Sequence, residues 1–223
     1  MSLRDQAGLE RLCRDLAARD PDIARALDLG GMPQVRAVRP GFEGLVRLIV
    51  DQQVSVAAGT SIWRKLETAL GAVTPEAVAA GSEGLTACGL SRAKARYALG
   101  LAEAVLSGTL DLDSLETQED DEVRARLIAL PGIGPWTAEL HLMFALGRSD
   151  VFPAGDLVLR AALHDLKALP SRPDIRTAEM LAEPWRPLRS VAALILWRYV
   201  GARRAALAPN PALPETGGQA AAR

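Results

Sequence analysis

Residues Leu127 to Arg160 read LIALPGIGPWTAELHLMFALGRSDVFPAGDLVLR. Apolar residues recur at helical spacing up to Leu130, the run Pro131-Gly132-Ile133-Gly134-Pro135 interrupts them, and a second apolar-periodic run extends from Trp136 to Leu146. This pattern predicts a helix, a five-residue hairpin and a second helix over 127–146. Glycines at 132 and 134 open backbone angles closed to other residues and leave the amides uncovered. Pro135 suits a first helical turn, so the N–H groups of Trp136 and Thr137 should point outward without partners. Unpaired amides at the positive end of a helix form an anion site, and phosphate is the obvious anion. A bare Pro-Gly-x-Gly-Pro is equally compatible with an ordinary connection between two helices.

The run Phe152-Pro153-Ala154-Gly155-Asp156 closes a loop before another periodic segment, Leu157 to Leu166. Taken alone, Asp156 is a helix N-cap. Taken together, a phosphate-cradling hairpin, the tryptophan after it and a loop aspartate twenty positions later resemble the helix-hairpin-helix superfamily of DNA glycosylases. The L-P-G-I-G-x-W-T-A form is most similar to its 3-methyladenine DNA glycosylase II branch. The resemblance implies an all-α fold of two helical lobes with a cleft between them. It also implies a compact member without the N-terminal β-rich domain of longer relatives. Residues 1–207 would form the core, with two interleaved lobes, and 208–223, rich in Pro, Gly and Ala, read as a disordered tail.

Bulk properties bound this reading. A chain of 223 residues, 49% hydrophobic, can bury a substantial core. The formal charge is −1, so any surface for nucleic acid must be local. Of 26 basic residues only Lys65, Lys94 and Lys167 are lysine; an arginine excess suits phosphate forks but matches a compositional bias equally well. Cys13 and Cys88 lie far apart without metal-ligand spacing, which points to a reduced protein without zinc. The four-cysteine iron–sulfur cluster of the endonuclease-III-like branch cannot be built from them. No signal-peptide pattern and no membrane-length apolar run is present, so the expectation is a soluble, cytoplasmic protein; the resemblance implies a nucleoid-associated monomer that partners double-stranded DNA with damaged bases.

Before the hairpin, helices are predicted over 5–18, from Pro21 to Leu29, from Gly41 to about Val50, from Ser55 to Leu70, and from Arg92 to Leu106. Thr74 and Ser82 mark short helices, and Met32 to Pro40 reads as extended, with Arg36 and Arg39. Gln52 and Gln53, between two helices, read first as exposed linker. The run I-V-x-Q-Q-V-S resembles the family segment lying along the DNA minor groove, which makes Gln52, Gln53 and Ser55 DNA-side candidates. The turn Leu90-Ser91-Arg92 matches the family's wedge position, which falls near Arg92. Leu90 is as compatible with core packing as with a wedge. With Gly132, Gly134, Trp136 and Thr137 these residues complete the implied DNA-binding set.

The chemistry follows from the leaving group. A purine methylated at N3 or N7 is cationic, so its glycosidic bond is weakened without protonation. An enzyme must evert the nucleotide, hold the base and stabilise an oxocarbenium-like sugar. The resemblance assigns Asp156 the last task and places Trp136 and Trp197 around the cationic base, where indole faces attract it. Relatives often carry tyrosines at the positions of Leu140 and Leu157, so these two leucines belong to the base pocket and leave the substrate range open. Bifunctional members carry lysine where this chain has Trp136, which implies a monofunctional glycosylase that leaves an abasic site and lacks β-lyase activity. No catalytic cofactor is implied; the family hairpin often holds a structural Na+ or K+ through main-chain carbonyls, here those of Ile128, Leu130 and Ile133. His141 and His164 lack ligand spacing. Two other readings stand beside the first: a glycosylase for deaminated or mismatched bases such as hypoxanthine or uracil, and a non-catalytic damage-binding protein.

Overall fold

A computed structural model describes residues 3, 5–35 and 39–207. The predicted Arg36 and the 208–223 tail lie outside the described residues. Among those described there are eleven α-helices, joined by turns and short 3-10 segments, and no strand.

The helices begin and end where their sequence caps them. Asp5 Oδ2 accepts the Gly8 N–H at 2.7 Å to start α1 (Gln6–Ala17), which buries Leu9, Leu12, Cys13 and Leu16. Asp20 starts α2 (Pro21–Gly30) by accepting from the N–H groups of Asp22 and Ile23, with Pro21 in the first turn. Gly31, at φ +73°, ends that helix. Gly30 is its last residue and has a packing role, since a Cβ there would come within 2.6 Å of the Tyr199 backbone. Next come α3 (Phe42–Asp51), α4 (Val56–Leu70) and α5 (Pro75–Ala80). Ser55 and Ser91 cap α4 and α6 (Arg92–Leu106) through their hydroxyls. The segment marked by Ser82 is a single 3-10 turn, too short to close α-helical hydrogen bonds. The remaining helices are α7 (Asp120–Ile128), α8 (Pro135–Phe144), α9 (Leu157–Leu166), α10 (Ile175–Ala182) and α11 (Arg189–Leu207).

Packing sorts these helices into two groups. One comprises the chain's beginning and end: α1 and α2 against α11, with α9 and α10 alongside. The other is the middle, where α3 packs on α4, α6 and α8, with α5 on α6 and α7 on α8. The middle group is inserted between the two parts of the first, and a continuous apolar cluster running from Leu9 through Leu127 and Leu163 to Leu196 joins the groups. The loop 145–156 carries the chain from the second group back to the first, which puts the residues that open α8 and α9 at the seam between them.

Candidate active site

The hairpin closes through N–H donation from Leu130 to the Leu127 carbonyl and from Ile133 to the Leu130 carbonyl. Ile133 is buried at its centre. The two glycines do different work. Gly132 sits at φ +87° over the Tyr97 ring of α6, and a Cβ there would come within 2.1 Å of it. Its smallness therefore admits a tyrosine of the protein itself, which corrects the expectation that both glycines clear the way for an outside group. Gly134 would present a Cβ to open space, and α8 begins after it with no side chain capping its first N–H groups. The start of α8, after Gly134, is thus left without a side-chain cap.

Asp156 caps a helix with one carboxylate oxygen, as its position suggested, and reaches across the seam with the other. Oδ1 accepts from the backbone N–H of Val158 at 2.8 Å and of Leu159 at 3.0 Å, which caps α9. Oδ2 accepts the indole N–H of Trp136 at 2.9 Å, across the seam between the helix groups. Both side chains keep partial solvent access. A second pair has the same bonding in a different setting: Asp20 caps α2 and accepts the Trp185 indole N–H at 2.7 Å. Trp185 is 1% exposed and buried against Phe152. Burial pushes the Asp20 carboxyl up, but the Trp185 and backbone N–H donors outweigh it and hold the group below its ordinary range. The Asp20 pair is internal carpentry, whereas the Asp156 pair opens to solvent beside an uncapped helix end.

The loop that delivers Asp156 is clamped at its root. Ser190, fully buried, accepts the Val151 N–H at 2.9 Å and donates to the Val151 carbonyl at 3.0 Å. Arg189 holds the neighbouring Asp150 with Nε on Oδ1 at 2.8 Å and Nη2 on Oδ2 at 3.1 Å. The end of the run P-W-R-P-x-R-S over 184–190 has this physical role. The sequence signal was there, an arginine and a serine opening an apolar helix, but their partners are 39 positions away.

The other site candidates fall in varied settings. Gln52 turns inward: Nε2 donates to the Gly132 carbonyl at 2.9 Å and to the Thr137 hydroxyl at 3.0 Å, so its amide braces the hairpin. That replaces the expectation of an exposed linker or a free DNA-side amide. Gln53 is exposed at φ +54°, and Ser55 is exposed at the cap of α4. Leu90, 4% exposed, lies in the core, so the structure gives it the packing role; Ser91 and Arg92 are the exposed residues of that turn. Leu140 is buried on α8 and Leu157 is exposed in the first turn of α9. Trp197 is half-buried on α11 and stacks on Phe144 with ring centres 6.0 Å apart. Phe144 is eight residues along α8 from Trp136, about 12 Å of helix axis.

Two titratable side chains of α8 are shifted by burial. His141 on α8 is 1% exposed, its Nδ1 has no hydrogen-bond partner, and burial pushes its pKa down to about 4. Glu139 is pushed up to about 7 by burial, opposed by Arg124 and reinforced by Glu179. No cluster of His, Cys, Asp and Glu able to hold a metal occurs among the described residues. At the hairpin, Leu130 O accepts the Ile133 N–H at 3.2 Å. One lone pair of that carbonyl is left over by this bond.

Residues 46–187 match the family described as HhH-GPD superfamily base excision DNA repair protein. The chain belongs to that superfamily. The alkylbase DNA glycosidase-like protein mag2 of Schizosaccharomyces pombe is 32% identical over 163 residues, spanning 70% of this chain and 76% of mag2. The structure of 3-methyladenine DNA glycosylase (Mag1) from the same yeast, in complex with abasic DNA, aligns with a TM-score of 0.77 at 30% identity. It covers 84% of this chain and 95% of Mag1. DNA-3-methyladenine glycosidase of Bacillus halodurans aligns at 0.73 and 32% identity, covering 85% and 89%. This HhH-GPD chain is thus a base-excision-repair DNA glycosylase with 3-methyladenine glycosylase relatives over most of its length. Among its described residues no helix is long and apolar enough to cross a membrane.

Proposed function

We propose that the chain is a monofunctional glycosylase that everts alkylated purines of the 3-methyladenine and 7-methylguanine type from duplex DNA and hydrolyses their N-glycosidic bonds. The observation that carries this reading is the solvent-accessible Asp156 carboxylate, fixed by three N–H donors of which one is the Trp136 indole.

Phosphate docks on the amides after Gly134, with Gln53, Ser55, Ser91 and Arg92 as further contacts from neighbouring exposed turns. Everting the nucleotide costs a few kcal/mol, which phosphate contacts and base stacking offset. A cationic base then lies against the electron-rich face of Trp136, with Trp197 contributing from α11, each contact worth roughly 0.5–2 kcal/mol. As the bond opens, positive charge grows on the sugar. The fixed Asp156 carboxylate stabilises that charge without having to reorganise, and it orients the attacking water. The base leaves neutral, so no general acid is needed. An indole at 136 offers no amine for a Schiff base, so the reaction stops at an intact abasic strand. The carbonyls of Ile128, Leu130 and Ile133 would hold a structural Na+ or K+, which would supply positive charge at the hairpin and take no part in the chemistry.

Incubation with duplexes carrying methylated purines, hypoxanthine or uracil, followed by chromatography of free bases and electrophoresis of the strands, tests the reading. Release of 3-methyladenine or 7-methylguanine with strands intact until alkali treatment is expected. Release only from deaminated duplexes, binding without release, or strand cleavage without alkali would each contradict it.

A further inference from the structure

The turn between α3 and α4 is held by a side chain with no part in the chemistry above. Lys94, in the first turn of α6, donates from Nζ to the Val50 carbonyl at 2.8 Å and to the Gln52 carbonyl at 2.5 Å. These oxygens lie at the C-terminal end of α3, where carbonyls lack partners within the helix. The ammonium has given up water to reach them: burial lowers its pKa, and the charge of Asp51 counters that effect. Asp51 is paired through Oδ2 with Arg47 Nε at 2.9 Å, and its Oδ1 is pressed against α4 at Gly59, where a Cβ would come within 2.2 Å.

The same turn is gripped from its other side by the hairpin, because Gln52 Nε2 bonds Gly132 O and Thr137 Oγ1. Between these two holds, Gln53 is left exposed in a left-handed conformation that a residue with a Cβ adopts only when its surroundings over-determine it. A continuous chain of bonds therefore runs from α6 through the α3 terminus to the hairpin.

We propose that Lys94 is a positioning residue that, through the Val50 and Gln52 carbonyls and the Gln52 amide, locks the Gln53 turn and the hairpin into one preformed DNA-docking surface. The proposal rests on the reading that both segments face DNA. A surface already ordered loses less conformational freedom on binding, so the effect should fall on affinity and not on the chemical step.

The test compares the full chain with Lys94→Met, Gln52→Ala and the double variant, by hydrogen exchange of the free protein and by binding and single-turnover excision on duplex DNA. Lys94→Met should speed exchange across residues 130–137, which lie beyond the carbonyls it holds, and so should Gln52→Ala. The double variant should exchange no faster than the quicker single. Affinity for an abasic-site duplex should fall about tenfold in all three, while the excision rate at saturating DNA changes less than about threefold. Lys94→Arg, which keeps charge and donors, should recover most of the loss; Lys94→Gln replaces the Met variant if that one does not fold, with a smaller change in the same direction.

Hairpin exchange unaffected by Lys94 substitution, or affinity losses that multiply in the double variant, would overturn the proposal. A wild-type chain that binds no duplex would instead overturn the DNA-facing reading, while the exchange comparison still decides whether Lys94 controls the hairpin.

Discussion

An aspartate that caps a helix with one oxygen has a second oxygen to place, and this chain places it on an indole twice. Asp20 gives it to Trp185 in the interior and Asp156 gives it to Trp136 at an accessible seam. The pairing separates structural from chemical consequences. Asp20→Asn should lower stability by about 2 kcal/mol in denaturant unfolding and leave excision unchanged, because asparagine keeps the cap but turns an amide N–H toward the indole N–H. Trp136→Phe keeps an aromatic face and removes the donor to Asp156. Single-turnover excision should fall about tenfold with little change in melting temperature. Cys13, whose thiol burial pushes up to about 12, should resist alkylation until the chain unfolds. Asp156 was legible in the sequence as a cap from its immediate neighbours, and as a candidate carboxylate only through the resemblance that joins it to the hairpin and Trp136. Its bond to Trp136 was not, since it depends on how two helix groups meet.

Helix limits were legible to within a residue or two wherever a capping side chain sits next to the apolar run, as at Asp5, Ser55 and Ser91. What an exposed-looking residue does between helices was not. Gln52 has the composition of a linker, yet its amide is committed to the hairpin 80 positions on. The hairpin glycines looked equivalent and are not. Gly132→Ala forces a methyl into the Tyr97 ring and a left-handed angle on alanine, and should destabilise the fold by about 3 kcal/mol or more. Gly134→Ala meets nothing in the free protein, so unfolding should shift by less than about 0.5 kcal/mol while affinity for duplex DNA falls about tenfold. Equal unfolding costs for the two variants would refute this division of labour.

Of the two helix groups the middle one is the contiguous stretch 42–144, and the other is split around it because the first and last helices pack on each other. Buried titratable groups make the stability of the fold depend on pH in two opposing ways. His141, held down to about 4, stays neutral in the fold while the unfolded chain takes up a proton below its ordinary pKa of 6.5. Stability from this group is full above that value and is lost as pH falls toward 4. Glu139, held up to about 7, keeps its proton where the unfolded chain has lost it, so its contribution is full below 4.5 and is lost as pH rises through 7. Thermal melts should show Glu139→Gln gaining on the wild type at pH 8 and not at pH 4.5. His141→Leu should gain at pH 5 relative to its own effect at pH 8, each change on the order of 2 kcal/mol. We propose that the seam between the groups stabilises charge developing on an everted nucleoside. The most direct measurement of this is single-turnover excision of 3-methyladenine by Asp156→Asn beside its affinity for an abasic-site duplex. The rate should fall more than about a hundredfold and the affinity should stay within about threefold of wild type; an excision rate close to wild type would contradict the account.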